Sequence, residues 1–221
     1  MSWKQYRKIE SGEFLLVAVD TSSGGKDYGV AQVLSKTKID VPLVWRSNTT
    51  TTAFIPELVR VLNKLYDITG VKPVVAIERN NGGAFLADRL AGLNLMGKFT
   101  MFLMPNYGIE EAATSVRYGW DTNTATRPKM LQDLKEAIDR RLITIYDRAT
   151  IGECLSFVVM KTSSTWKATA EHGAHDDLVM ALAIAWQMYQ ICEPEKSATV
   201  DSKKVMAELP QEDMFGKDGL Y

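Results

Sequence analysis

Three places in this sequence put a carboxylate where it is costly. Asp20 ends the apolar run Phe14-Leu15-Leu16-Val17-Ala18-Val19, Glu78 ends Val74-Val75-Ala76-Ile77, and Asp176-Asp177 opens the run Leu178 to Ala185. A charge at the edge of a buried element is unfavourable unless it is paired, protonated or bound to a cation. Taken singly, each has a bland account as a turn former, an edge charge or a helix cap. Three such sites, each at the end of an apolar element, are hard to assign to coincidence. Clustered carboxylates suit hard divalent cations such as Mg2+ or Mn2+. Two such ions roughly 3.5 to 4 Å apart activate a water and stabilise the leaving oxygen of a phosphodiester.

The elements that must position these groups can be read in order. Phe14 to Asp20 reads as a central strand, followed by the turn residues Ser22-Ser23-Gly24-Gly25. Tyr28–Ser35 and Val41–Arg46 read as two more strands, and their short connection makes an antiparallel meander. After the possible N-caps of Asn48 to Thr52, Phe54, Leu58, Val61, Leu62 and Leu65 recur at helical spacing up to Gly70. Lys72 to Glu78 repeats the pattern of the first strand, Gly82-Gly83 opens a helix over 84–93, and Phe99–Met104 reads as another strand. In an open sheet with parallel strands, ligands bind beyond the carboxyl ends, so Asp20 and Glu78 are expected to converge there.

Residues 105–124 read as irregular, and a helix follows from Thr126-Arg127-Pro128-Lys129 with Met130, Leu131, Leu134, Ala137 and Ile138 as its apolar face. Leu142–Tyr146 reads as a short strand, and the run Glu153 to Met160 carries on into Lys161 to Ala168, which reads as a hairpin or ordered loop with two lysines. The helix from His175 to Tyr189 is apolar nearly all round after its first turn and must pack deep. The expected division is a linker over 1–12, a domain over 13–192 and a tail over 193–221.

Composition narrows the class. At 221 residues, with 46% hydrophobic and 24% charged residues, the chain is globular and of ordinary domain size. No apolar run approaches the ~20 residues of a membrane span, and the start lacks a signal core, so a soluble intracellular protein without a membrane partner is expected. Cys154 and Cys192 are far apart and have no metal-site spacing. The net charge of −1 denies the chain the global basicity common in nucleic-acid binders and implies weak, salt-dependent affinity for any such partner.

The order of acidic strand, meander, helix, acidic strand and acidic final helix resembles the ribonuclease H-like nucleases, an α/β fold with a mixed β-sheet whose first three strands are antiparallel. In detail it resembles the nuclease domain of the large terminase subunit of tailed bacteriophages. The matching segments are Val17-Ala18-Val19-Asp20, Ala76-Ile77-Glu78-Arg79-Asn80, Gly119-Trp120-Asp121-Thr122 with Thr126-Arg127-Pro128-Lys129, and Gly173-Ala174-His175-Asp176-Asp177-Leu178-Val179-Met180-Ala181. They span about residues 14–190. Their order and spacing together are more specific than any one of them.

The resemblance implies metal ligation by Asp20, Glu78 and one or both of Asp176 and Asp177, with Asp177 the first choice, and two Mg2+ or Mn2+ ions as cofactors. Related nucleases often carry a further acid one turn into the final helix, where this chain has Met180. His175 orients a ligand or caps the helix start. Arg79, Arg127, Lys129 and Lys161 are the candidate contacts to DNA phosphates, a role helix starts and lysines perform well, while Lys167 reads as solvated surface. Trp120 and Trp166 stack on bases or pack internally. The implied activity is endonucleolytic cutting of double-stranded DNA, with little sequence preference, during viral genome packaging in the host cytoplasm. Implied partners are DNA, an N-terminal ATPase domain, the portal protein and the small terminase subunit. The sequence has no GxxxxGK[ST] phosphate loop, so ATP hydrolysis is not expected of it.

Three rival readings use the same residues. A Holliday-junction resolvase of this fold would carry a similar acidic cluster. A sugar-kinase-like enzyme also ends its first strand in an aspartate before a Gly-rich turn, but needs a duplicated half that is absent from these 221 residues. A DNA-binding or assembly module without catalysis would have no physical reason to keep three buried acidic sites.

Overall fold

The computed structural model describes residues 3–21, 29–47, 51–104, 117–161, 166–170 and 176–195. Its elements in chain order are β1 (Lys4–Gln5), β2 (Leu15–Asp20), β3 (Gly29–Ser35), β4 (Asp40–Ser47), α1 (Thr51–Thr69), β5 (Val74–Ile77), α2 (Gly83–Gly92), β6 (Thr100–Met101), α3 (Thr126–Asp139), β7 (Thr144–Ile145), α4 (Arg148–Ser156), β8 (Phe157–Lys161), β9 (Trp166–Ala170) and α5 (Asp177–Ile191). Seven strands form a mixed sheet in the order β1-β4-β3-β2-β5-β6, with β7 pairing with β4. β2, β3 and β4 form the expected antiparallel meander, whereas β5 runs parallel to β2 and β6 parallel to β5. β8 and β9 form a separate antiparallel hairpin.

Register decides which face the chemistry occupies. Ala18 lies opposite Gln32 on β3 and beside Ala76 on β5. Side chains alternate along a strand, so Leu16, Ala18 and Asp20 share a face with Val30, Gln32 and Leu34, and with Val74 and Ala76. That face is covered by α3 and α5, and its core includes Leu16, Ala18, Val44, Met130, Leu134 and the whole buried stretch of α5 from Leu178 to Ala185. Val17, Val19, Val33, Val75 and Ile77 point to the other face, against Phe54, Leu58, Leu62, Leu86 and Leu90 of α1 and α2. Two apolar layers thus enclose the sheet, and α5 needs to be apolar all round because it lies inside the first of them.

Parts of the chain differ from expectation. The segment before residue 13 is joined to the domain: β1 pairs with β4, Ile9 is buried, and Arg7 bonds both Glu13 and Asp40. Residues 148–156 form α4, a helix that the sequence reading does not include. Asp147 caps this helix through the Thr150 amide and hydroxyl, and receives a hydrogen bond from the Tyr6 hydroxyl. β6 and β7 have two residues each, shorter than their apolar runs, because β6 closes one edge and β7 pairs only at the start of β4. The Ser22 to Gly25 turn, the caps at 48–50, the segment 105–116, His175 and the chain after residue 195 lie outside the described residues. No described helix is long and apolar enough to cross a membrane.

Candidate acidic site at the carboxyl ends of β2 and β5

The two parallel strands deliver their carboxylates side by side. The Glu78 amide donates to the Val19 carbonyl at 2.8 Å, so the β2–β5 ladder continues to the level of Asp20. By alternation from Ala18 and Ala76, both acids face α5. Both are buried, with 9% of Asp20 and 6% of Glu78 exposed. Burial raises the Asp20 pKa well above the ordinary carboxylate value of 3.8, and the neighbouring charge and hydrogen bond of Glu78 raise it further, as do the charges of Asp177 and Asp176. Without a counter-ion, therefore, the protonated form of Asp20 is favoured.

Glycine lets the chain close in around the end of β5. A Cβ on Gly83 would lie 1.7 Å from the Glu78 carbonyl oxygen, and one on Gly119 would lie 2.3 Å from that of Ile77. Gly119 also has φ +96°, a conformation that favours glycine. The chain returns here after the excursion over 105–116: the Trp120 amide donates to the Ile77 carbonyl, and the Arg79 amide to the Trp120 carbonyl. Trp120 is buried against Phe102, which makes it a packing residue and removes it as a base-stacking platform. Trp166 has its backbone in β9, and its side chain lies outside the description.

The third acidic position comes from α5. Asp176 precedes the helix, its carbonyl accepting from the Met180 amide, and Asp177 is the first helical residue. The Asp176 carboxylate pairs with Arg127 Nη2 at 2.7 Å, linking the starts of α3 and α5. The charge of Asp177 acts on Asp20 and also on Glu153. All donors here are carboxylate oxygens, the set that hard divalent ions prefer. Among the described residues no three His, Cys, Asp or Glu side chains are already drawn into a cation cage. The metal-free arrangement is thus a buried acidic pair with further carboxylates nearby, and its donor chemistry fits a divalent cation.

The basic residues differ in how they are engaged. Arg79 donates to Asp121 Oδ1 at 3.0 Å and to the Tyr118 carbonyl at 2.6 Å, so its guanidinium braces the returning loop. Asn80 bridges the Thr122 carbonyl at 2.8 Å and Glu78 Oε1 at 3.4 Å. Lys129 pairs along α3 with Asp133. Lys161 ends β8, its side chain outside the description. Two buried polar residues escaped the sequence reading: Glu153 on α4 and Gln32 on β3, both bonded to the main chain of Leu178. The only sequence signal for Gln32 is an amide inside the apolar run GVAQVL, and for Glu153 there is none.

No protein-family model and no curated protein matches the sequence. Solved structures do match the fold. The large terminase nuclease from thermophilic phage G20c with bound cobalt is 18% identical, covers 83% of this chain and 89% of its own, and superposes with a TM-score of 0.60. The same nuclease with bound magnesium gives 0.59 at 18% identity over 83% of this chain and 84% of that one. The large terminase nuclease domain of Thermus phage P74-26 gives 0.58 at 18% identity, covering 86% and 85%. The chain accordingly has the mixed α/β fold of the large terminase nucleases.

Proposed function

We propose that this chain is a metal-dependent endonuclease that cuts double-stranded DNA during viral genome packaging. The observation that carries this reading is the meeting of Asp20 and Glu78, from adjacent parallel strands, with the charges of Asp177 and Asp176 on a sheet face where the cluster raises the Asp20 pKa. The fold adds support, since nucleases that share it hold cobalt or magnesium.

Asp20, Glu78 and Asp177 would hold Mg2+ or Mn2+, two ions in the productive state, with Asp176 beside them. Bound there, the ions supply an activated water and neutralise the leaving oxygen of a phosphodiester. The chain's own residues prepare the place. The carboxylates bind and orient, and Asn80 limits the freedom of Glu78. Trp120 and the apolar layer of α3 and α5 pack the same sheet face. Arg127 and Lys129, at the start of α3, and Lys161, at the end of β8, would contact phosphates. Arg79, held by Asp121, instead keeps the loop beside Glu78 in place.

Plasmid cleavage with Mg2+, with Mn2+ and with EDTA tests the reading. The native chain is expected to nick or linearise DNA only with metal, and Asp20→Ala and Asp177→Ala to fall to the EDTA level. A native chain that binds DNA but stays inactive with both metals would make it a binding module instead.

A further inference from the structure

Gln32 and Glu153 hold the two peptide groups that flank Leu178. Glu153 Oε2 accepts from the Leu178 amide at 2.8 Å, and Gln32 Nε2 donates to the Leu178 carbonyl at 3.0 Å. The two come from different elements, α4 and β3, and both are buried, Gln32 completely. Gln32 also donates to Thr150 Oγ1 at 3.1 Å, which fastens α4 to the same strand, and Glu153 Oε1 lies 3.4 Å from Arg46 Nη2. Leu178 directly follows Asp177, so this clamp acts on the first turn of α5, next to the residue that faces Asp20.

A helix cap alone does not require this arrangement. Asp176 stands at the N-cap of α5, yet its own side chain makes no capping hydrogen bond. The Leu178 amide is instead satisfied by an acid brought from α4, close enough to Asp177 for the two charges to oppose each other. Packing two negative groups this way is unfavourable by itself. What Glu153 and Gln32 do achieve is to fix the height of α5 along β3, and with it the distance from Asp177 to Asp20.

We infer that Glu153 and Gln32 are positioning residues, clamping Leu178 from both sides so that Asp177 is presented to the same cation as Asp20 and Glu78. The inference rests on the metal-dependent reading of the site. Neither side chain touches the cation or the substrate; each acts through the first turn of α5.

Isothermal titration of Mn2+ into the full chain, paired with thermal melting in EDTA, tests it. Glu153→Ala is expected to weaken Mn2+ binding by roughly 10- to 100-fold, the usual effect of losing a group that orients a ligand. Glu153→Gln keeps an oxygen for the Leu178 amide and should bind Mn2+ within a few-fold of the native chain. Glu153→Asp keeps the charge but is a methylene too short, and should bind as weakly as Glu153→Ala. That ordering separates positioning from a merely structural role, which would change the melting temperature and leave the affinity of the folded variants alone. If Glu153→Ala does not melt cooperatively, the Gln and Asp variants carry the comparison. Native affinity in a folded Glu153→Ala or Glu153→Asp variant overturns the inference alone. A native chain that takes up no Mn2+ overturns it together with the metal-dependent reading.

Discussion

Asp20 bears the strain of the site. Its burial beside Glu78, with Asp177 and Asp176 near, favours the protonated form, so the folded chain holds that proton more tightly than the unfolded chain does. Below the ordinary carboxylate pKa both states are protonated and the group costs the fold nothing. Stability falls as pH rises from the ordinary carboxylate value to the raised folded one, and stays lower above it. Asp20→Asn removes the titration, so in EDTA at neutral pH it should be more stable than the native chain by ~0.5–2 kcal/mol, a typical gain where function strains a site. The gain should vanish below pH ~4, and urea unfolding at both pH values checks it. Asp20, Glu78 and Asp177 were legible in the sequence because each ends or opens an apolar run, where a charge is conspicuous. Gln32 and Glu153 were not, because a polar side chain that reaches across the core to another element leaves no local pattern. Trp120 was ambiguous for the same reason: only the tertiary fold decides whether an aromatic beside glycine faces Phe102 or solvent.

At the scale of elements, α5 is the keystone of one layer. Eleven consecutive residues from Leu178 to Met188 are buried, and Leu182 is fully so. Truncating a fully enclosed leucine removes its transfer energy and leaves a cavity. Leu182→Ala should therefore cost ~2–5 kcal/mol in urea unfolding. The long elements, α1, α3 and α5 with the strands β2 to β5, could be read from periodicity because their burial is regular. α4 could not. Arg148–Ser156 has no continuous apolar stripe and contains Gly152, and it is helical because Asp147 caps it and Gln32 and Leu178 receive its buried side. Tertiary contact overrode a weak local preference. β6 and β7 were overestimated because apolar residues continue past the point where a partner strand exists.

For the molecule as a whole, the segment before β2 is part of the domain's stability. Burial alone would raise the Glu13 pKa, but the Arg7 fork, the Glu10 amide and the Ser35 hydroxyl carry it from 4.5 down to about 2. A carboxylate with a depressed folded pKa stabilises the fold above its unfolded value and loses that contribution as pH falls through the folded one. Stability should accordingly fall between pH 4.5 and about 2. Arg7→Met, which breaks the bonds to Glu13 and Asp40, should lower stability at neutral pH and flatten that acid limb, as acid titration followed by circular dichroism would register. This segment read as a linker because its few apolar residues have no period; its order comes from ion pairs, which periodicity does not encode.

The Arg7 hub also has a mechanical meaning. A load on the start of the chain first meets the two-residue ladder of β1 on β4, which opens one bond at a time, and then a guanidinium gripping Glu13 and Asp40 together. The tension is then shared between Asp40, which opens β4, and Glu13, two residues before β2. The ionic knot thus ties the beginnings of β2 and β4 to one guanidinium, whereas Asp20 lies at the opposite, carboxyl end of β2.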